Sequence, residues 1–512
     1  MTGAPAATGY DVVVLGGGVA GCVLAARLSE DPARSVCLVE AGPDYGPDRE
    51  AWPPKVLNAR ALPRDDVWER HAAVHRIRAR VIGGSSAING CWNTWGSEAD
   101  HGAWERAGGP RWSASAMEPY RLRAVEQMRL RAVPEREFSD WSRGALTAAA
   151  ELGYREVDMG APGGPGYGTP LLNAVDGLRR NAAFGYLDEA RPRPNLTILA
   201  DATVDRLDVR AGRVRGVEIV VDDRRETLVA DSYLLSCGTF GSPAVLMRSG
   251  IGPAAGLAQA GVRPESDLPG VGANLVDQPG VFVPLTPTAA LNASLAAKEA
   301  AGELYVSRML IRAASEHCAD GSWDLHILPA AGPPLFGRLP AGEYEAGISA
   351  FVMNPLSRGR LRLTSADPSA APEIDPGFLT DRGGRDAVVL RSGLDIVERL
   401  AASPALKSLA GPSAGHRARD LSDEQLRARL GTYWHPVGTC AMGPADDPFA
   451  VVDGEARVHG VSNLRVVDAS VLPTVPAANT QLPVLAVAEM LADALRGRPA
   501  ADGSATERGG RP

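Results

Sequence analysis

The hydrophobic positions along this chain change their period several times, and each change predicts an element. Residues 11–15 read Asp-Val-Val-Val-Leu, an apolar run that suits a strand buried on both faces. A glycine turn follows, then helical spacing over 19–29, then a second buried strand over 36–40, which makes a βαβ unit. Residues 43–80 are rich in Pro and Trp with little periodicity and read as an excursion. Residues 113–153 read as helix, split near Pro134, and 160–170 as a glycine-rich loop. Alternation over 196–235 predicts a meander, with strands at 196–199, 204–209, 215–221, 226–229 and 233–235. A second glycine turn leads into a helix over 238–249, and the alanine-rich stretch 286–320 has no readable period. Beyond it, strands are expected at 323–328, 346–353, 359–363 and 464–467, and helices at 384–402, 422–430 and 480–495. The lead 1–9 reads as flexible, the polar tail from Ala500 as disordered, and no internal repeat is visible.

Composition narrows the classes. With 512 residues, 45% hydrophobic and 22% charged, the chain can bury a large core without a disulfide or metal staple. A net charge of −8 leaves no basic excess to replace phosphate counterions, which argues against a nucleic-acid partner. Arg76, Arg78 and Arg80 alternate and read as the solvated face of a strand. Cys22, Cys37, Cys91, Cys237, Cys318 and Cys440 form no C-x-x-C pair, so no metal site is expected. Their apolar surroundings suit buried thiols in a reducing compartment. No charged and apolar leader opens the chain and no run of 18 apolar residues occurs, so a soluble, cytoplasmic protein without an integral membrane segment is expected.

Five segments carry chemistry. Gly16, Gly18 and Gly21 occupy the three positions of G-x-G-x-x-G between a strand and a helix. The first permits the turn, the second lets a pyrophosphate approach the backbone, and the third lets helix and strand pack closely. Glu40 ends the next strand, where a carboxylate can accept from ribose hydroxyls. That set predicts dinucleotide binding. It disfavours NADP and does not separate NAD from FAD. The second segment, 80–90, holds Gly83, Gly84, Ser86 and Asn89, and alone is either an anion nest or an ordinary turn. The third spans 238–252. The fourth, Trp434 to Gly443, contains His435. The fifth runs from Val466 through Asp468, Ala469 and Asn479 into the last helix.

With these five in this order, the sequence resembles the glucose–methanol–choline (GMC) family of FAD-dependent oxidoreductases. The resemblance covers residues from about 10 to 497, including 354–368 and 372–376. It implies an α/β fold in two domains. A Rossmann-like FAD-binding domain is expected over 8–155, 190–285 and 452–500. An α+β substrate domain over 156–189 and 286–451 is expected to lay an antiparallel sheet over the flavin, with 501–512 as the tail. The resemblance implies that Gly16, Gly18, Gly21 and Glu40 hold the ADP moiety. Gly83, Gly84, Ser86 and Asn89 would lie along the flavin, and the Val204 backbone would touch adenine. Asp468 and Ala469 would return the chain to the cofactor. His435 matches the family's catalytic histidine, and Asn479 its partner, which is a second histidine in other members.

The chemistry agrees with those roles. An alcohol gives up hydride readily only as its hydroxyl proton leaves, so one base within hydrogen-bond reach is needed, and histidine suits the task. Without the motif, His435 beside Trp434 reads as a packed core residue. Asn479 cannot take the proton, but it can orient the oxygen. It can also cap the last helix, unless Thr480 does so and places Pro483 at the third helical position. The positive end of that helix is then expected to face the flavin. His459 reads as structural, and His71, His75, His101, His317, His326 and His416 carry no motif.

Two departures from the family pattern matter. Ile88 stands where members with covalent flavin have histidine, so a non-covalent FAD is expected. Asn93 stands where many members have an aromatic residue, which with Trp92 and Trp95 predicts an unusual pocket or oxygen access. The stretch 286–345 is expected to line the substrate pocket, with Trp434 and Phe351 making it apolar. The expected activity is oxidation of a CH–OH group, in particular a primary alcohol, with O2 or another electron acceptor reoxidising FAD. Rival readings are a hydroxynitrile-lyase-type lyase, a photodecarboxylase (disfavoured by His435), a flavin-binding redox sensor without turnover, and an NAD dehydrogenase, which leaves the later motifs unexplained.

Overall fold

The computed structural model describes residues 9–63, 66–68, 77–334, 340, 342–413 and 421–498. The apolar N-terminal runs pair as strands covered on both faces. Tyr10–Leu15 lies between Val36–Val39 and Ala230–Leu235, with Leu196–Leu199 and Leu464–Val466 at the edges. All these pairings are parallel. The helix Val19–Leu28 packs on this sheet and on the last helix, Gln481–Leu495. Glu489 on that last helix is fully buried and receives Arg27 at 2.8 Å and Arg123 at 3.3 Å, which ties the end of the chain to its beginning.

A second, antiparallel sheet forms a separate layer. Its order is Ala410–Pro412, Pro279–Pro287, Glu345–Val352, Leu325–Gly332, Leu310–Ala313 and Gly166–Gly168, with Gly431–Thr432 also pairing the start of Pro279–Pro287. Side chains alternate between its faces. Val281, Val283, Ile327, Ile348 and Ala350 enter a core shared with the helices Asp140–Glu151 and Arg385–Ala401. Phe282, Leu328, Ala330, Ser349 and Phe351 face a cavity between the two sheets.

The structure departs from the periodicity in instructive places. The expected loop 160–170 contains the strand Gly166–Gly168, paired to Leu310–Arg312. Its glycines mark close approach rather than a turn, because a Cβ on Gly166 or Gly168 would run into the carbonyl oxygens of Arg155 and Val157. The expected meander is divided. Only Ala202–Arg210, Arg213–Val221 and Arg224–Leu228 form an antiparallel unit, while its outer strands join the parallel sheet. Arg360–Arg362 pairs with Glu373–Asp375 instead of the large sheet, setting Arg360 opposite Asp375 and Arg362 opposite Glu373. The unreadable alanine-rich stretch holds a helix, Ala289–Ala300, capped by Thr288, and the strand Leu310–Ala313.

The two cores also place three segments. Trp141, Ala145 and Ala148 of Asp140–Glu151 pack in the second core, ahead of residue 155. The chain has already entered the second sheet at Pro279, ahead of residue 285. Conversely, Phe184 and Leu187, expected in the substrate domain, pack in the first core. Among the described residues no helix is long and apolar enough to cross a membrane, and no group of His, Cys, Asp and Glu is arranged for a metal. Arg76, His71, His75, His416, the lead 1–8 and the tail lie outside the described residues.

Candidate active site

Every parallel strand that approaches the cavity does so with its C-terminal end, where ligands bind in open α/β sheets. Gly16 and Gly18 follow the first strand, Glu40 the second, Ser236 and Cys237 the strand Ala230–Leu235, and Asp468 the last. The cavity measures about 1170 Å³. That exceeds the roughly 300–1,000 Å³ of a drug-sized site. It therefore accommodates a dinucleotide together with a small substrate. The helix Val19–Leu28 starts at Gly18 with no side-chain cap, which leaves its N–H groups open to an anion. Gly84, at φ +54°, lies directly against Gly18, and a Cβ there would come within 2.6 Å of the Gly18 Cα. Only glycine allows the two loops to meet.

The candidate cofactor residues divide into wall and support. Gly16, Gly18, Glu40, Gly84, Ser86, Asn89, Val204, Asp468 and Ala469 are on the cavity wall. Gly21 and Gly83 are not. A Cβ on Gly21 would run into the Gly16 carbonyl, and the Gly83 N–H donates to Gly17 O at 2.7 Å, so both pack the loop from behind. Glu40 accepts from Gly17 N at 2.8 Å and Gly42 N at 2.9 Å, and burial pushes its carboxyl up to about 7. Ser86 Oγ donates to Gly83 O at 2.6 Å and accepts from Ala182 N at 2.8 Å. Asn89 donates to Gln481 Oε1 at 2.5 Å. The Val204 carbonyl accepts from Arg248 Nη2 at 3.3 Å. Asp468 accepts from Gly238 N at 2.8 Å and Ser242 Oγ at 2.6 Å, and so holds the third motif to the fifth. An uncapped helix start, a glycine-only contact and a buried carboxylate fit the ADP half of FAD.

At the other end of the cavity, His435 and Asn479 meet. Trp434 has φ +61°, a left-handed conformation that costs a non-glycine residue roughly 1–2 kcal/mol. This twist lies between Tyr433, stacked on Phe351 at 4.0 Å, and half-buried His435. Asp277 steadies the turn by accepting from His435 N at 3.0 Å and Thr432 Oγ1 at 2.5 Å. Gln278 donates both amide hydrogens, to Met353 O at 3.1 Å and Pro476 O at 2.9 Å. Its Oε1 therefore faces His435 Nδ1, at 2.8 Å, and this ring nitrogen carries the proton. The other nitrogen, Nε2, keeps its lone pair. Thr94 Oγ1 donates to Asn479 Oδ1 at 3.0 Å, which turns Asn479 Nδ2 to His435 Nε2 at 3.3 Å. A proton acceptor and a hydrogen-bond donor thus stand side by side on the wall. Burial, reinforced by the Arg78 guanidinium, holds His435 down to about 3, so its imidazole is neutral.

Residues 10–280 match the N-terminal model of the GMC oxidoreductases, and residues 355–488 match the C-terminal one. The chain belongs to the GMC oxidoreductase family. It is 34% identical to 5-(hydroxymethyl)furfural oxidase of Methylovorus sp. (strain MP688), over 95% of this chain and 98% of that one. It is 32% identical to mitochondrial choline dehydrogenase of Homo sapiens, over 96% and 90%. The crystal structure of pyridoxine 4-oxidase from Mesorbium loti superposes with a TM-score of 0.81 at 30% identity, covering 96% of this chain and all of that one. This GMC oxidoreductase is an FAD enzyme of the oxidase and dehydrogenase class.

Several GMC residues sit differently from expectation. Arg78 is not a solvated strand residue. It is half-buried on the cavity wall, with its guanidinium 4.8 Å from the Phe240 ring, and burial lowers it to about 10. Asn93 is fully buried and off the wall. It donates to Asn173 Oδ1 at 2.9 Å and accepts from Gln481 Nε2 at 2.9 Å, as part of an amide chain linking the flavin loop to the last helix. Thr480 is the N-cap residue of Gln481–Leu495 without a side-chain bond, so Pro483 is third in the helix and Asn479 is free for His435. His459 reaches Gly443 O at 3.2 Å, a packing contact. His326, which had no motif, is fully buried 5.9 Å from the Tyr433 ring, with neither ring nitrogen bonded. Gln278, Asp277 and Thr94 were missed. No spacing marks them, and only the contact of distant loops reveals their roles.

Proposed function

We propose that this chain oxidises a primary alcohol to the aldehyde, with His435 as the base and Asn479 as the orienting group, on FAD held without a covalent bond. The observation that carries this reading is the 3.3 Å pairing of His435 Nε2 with Asn479 Nδ2 on the cavity wall. A hydroxyl placed there donates its O–H to Nε2 and accepts from Nδ2, which orients the carbon and removes the proton together. When bound, FAD supplies the hydride acceptor. Gln278 keeps Nε2 unprotonated until the alcohol arrives. Tyr433 and Phe351 exclude water beside the imidazole. Gly16, Gly18, Glu40 and Val204 would hold the ADP half, and Ser86, Asn89 and Ala469 the flavin half. Ile88 lines the cavity and offers no nucleophile, which supports non-covalent attachment. The family relative named for 5-(hydroxymethyl)furfural supports a CH2OH substrate.

The test is anaerobic titration of the yellow holoenzyme with a panel of alcohols. One class should bleach the absorbance near ~450 nm expected of an oxidised flavin, and readmitted air distinguishes O2 from another acceptor. A holoenzyme that no primary alcohol bleaches would overturn the reading. Acid precipitation should leave the flavin in the supernatant, and flavin pelleting with the protein would refute non-covalent attachment.

A further inference from the structure

A cationic corner lies on the cavity wall beside Cys91, just past the Gly83–Gly90 segment. Arg308 is 2% exposed and lines the cavity. Its Nε donates to Glu137 Oε2 at 2.9 Å and its Nη1 to Ser307 O at 3.2 Å, while Nη2 has no partner. Its guanidinium lies 3.6 Å from the Tyr305 ring centroid, and that of Arg60 lies 5.6 Å from the same ring. Arg60 also lines the cavity, and its Nε is buried without a partner. Glu137 cannot neutralise this corner, because its other oxygen is taken by Arg131 at 2.7 Å. Among the described residues no carboxylate pairs with Arg60. Arg308 and Arg131 therefore share one carboxylate, and Arg60 adds a third guanidinium beside Tyr305. A buried guanidinium with an unmade hydrogen bond is costly unless a ligand completes it.

We infer that Arg308, with Arg60, binds an anionic group on the substrate, so that the alcohol oxidised at His435 carries a carboxylate at its far end. This deepens the alcohol reading and rests on it. Arginine forks match carboxylates in two parallel bonds, and such charge-assisted bonds are strong in a desolvated corner. The strand Leu325–Gly332 runs between the two ends. His326 packs on Tyr433, whose ring lies 4.5 Å from that of His435. The Pro329 carbonyl accepts from Ser307 Oγ, next to Arg308, at 2.5 Å. Leu328, between these two positions and on the cavity wall, offers an apolar surface for the body of a small substrate. The carboxylates on the wall do not compete. Glu40 and Asp468 are held by backbone amides, and burial raises the Glu345 carboxyl above its ordinary range, which weakens its repulsion of an anion.

The test uses holoenzyme and ligands that share a hydroxymethylphenyl core and carry an anionic, neutral or cationic group at the far end. 4-(Hydroxymethyl)benzoate should exceed both its methyl ester and 4-(aminomethyl)benzyl alcohol in kcat/KM by at least tenfold. Arg308→Gln should cut that ratio at least tenfold, and Arg60→Gln, a half-buried position, should cut it by less. Equal kcat/KM for acid and ester in the wild type would overturn the proposal, as would a preference for the amine or loss of bound flavin from Arg308→Gln. Benzoate, which has no hydroxyl, separates this site from the alcohol reading. It should perturb the flavin spectrum of the wild type where benzamide does not. If no alcohol is oxidised but benzoate still binds in preference to benzamide, the anion site stands and the alcohol reading falls. If benzoate and benzamide bind alike, the anion site falls.

Discussion

Gln278 Oε1 lies 2.8 Å from His435 Nδ1, and this contact decides which ring nitrogen carries the proton. The glutamine cannot rotate, because its amide hydrogens are spent on the carbonyls of Met353 and Pro476. Gln278→Leu should therefore let the imidazole take either tautomer. The expected result is a kcat about 10- to 100-fold lower with the flavin spectrum unchanged. Unaltered kcat would mean that something else sets the tautomer.

Under the proposed mechanism, His435→Ala removes the proton acceptor. Loss of a positioned general base costs about 100- to 10,000-fold in rate. The variant should keep its flavin, since the residues assigned to the ADP half are distant in the cavity. Stopped-flow bleaching by the best alcohol reads the chemical step directly, and a rate within threefold of wild type would remove His435 from the mechanism.

The acid limb of the pH profile follows from burial. His435 titrates at about 3 because desolvation and the Arg78 charge both oppose an imidazolium. It thus stays neutral, and able to accept a proton, at every pH above that value. kcat/KM should remain flat well below the pH of about 6.5 at which an exposed histidine protonates. Replacing Arg78 with Met removes a repelling positive charge, so the imidazolium becomes less unfavourable and the limb moves to higher pH. A wild-type limb near 6.5, or one that Arg78→Met leaves in place, would contradict this account.

Burial of Glu40 makes the stability of the FAD-free protein depend on pH. Burial raises its carboxyl from the ordinary 4.5 to about 7. Between those values the folded FAD-free protein holds a proton that the unfolded chain has released. The stabilisation is complete below 4.5 and is lost as pH rises through 7, amounting to roughly 3 kcal/mol if fully expressed. Urea midpoints of the FAD-free protein should fall over this interval, and Glu40→Gln should flatten the fall. Parallel curves for the two proteins would show that Glu40 does not carry it.

Local pattern made the dinucleotide half legible. The runs around Val13, Leu38 and Leu234 are buried on both faces, and Gly16 needs its positive φ, so sequence and structure report one constraint. The substrate side was less so. Gly166 and Gly168 look like turn residues in sequence and are strand residues because a neighbouring carbonyl crosses them. Arg78 looks like a solvated residue and lines the cavity. Gln278 has no signature, since its function exists only where Met353, Pro476 and His435 converge. Motifs record constraints between neighbours in sequence, and Gln278 meets partners 75 or more positions away.

The two-sided character of the antiparallel sheet has an evolutionary consequence. Along Leu325–Gly332 and Glu345–Val352, one set of alternate positions packs in the core, and positions of the other set line the cavity. Selection can therefore redraw the second set, at Leu328, Ala330 and Ser349, without disturbing the first. Substrate range and folding are inherited through different residues of the same strand, so one scaffold can pass through many specificities without an unstable ancestor between them.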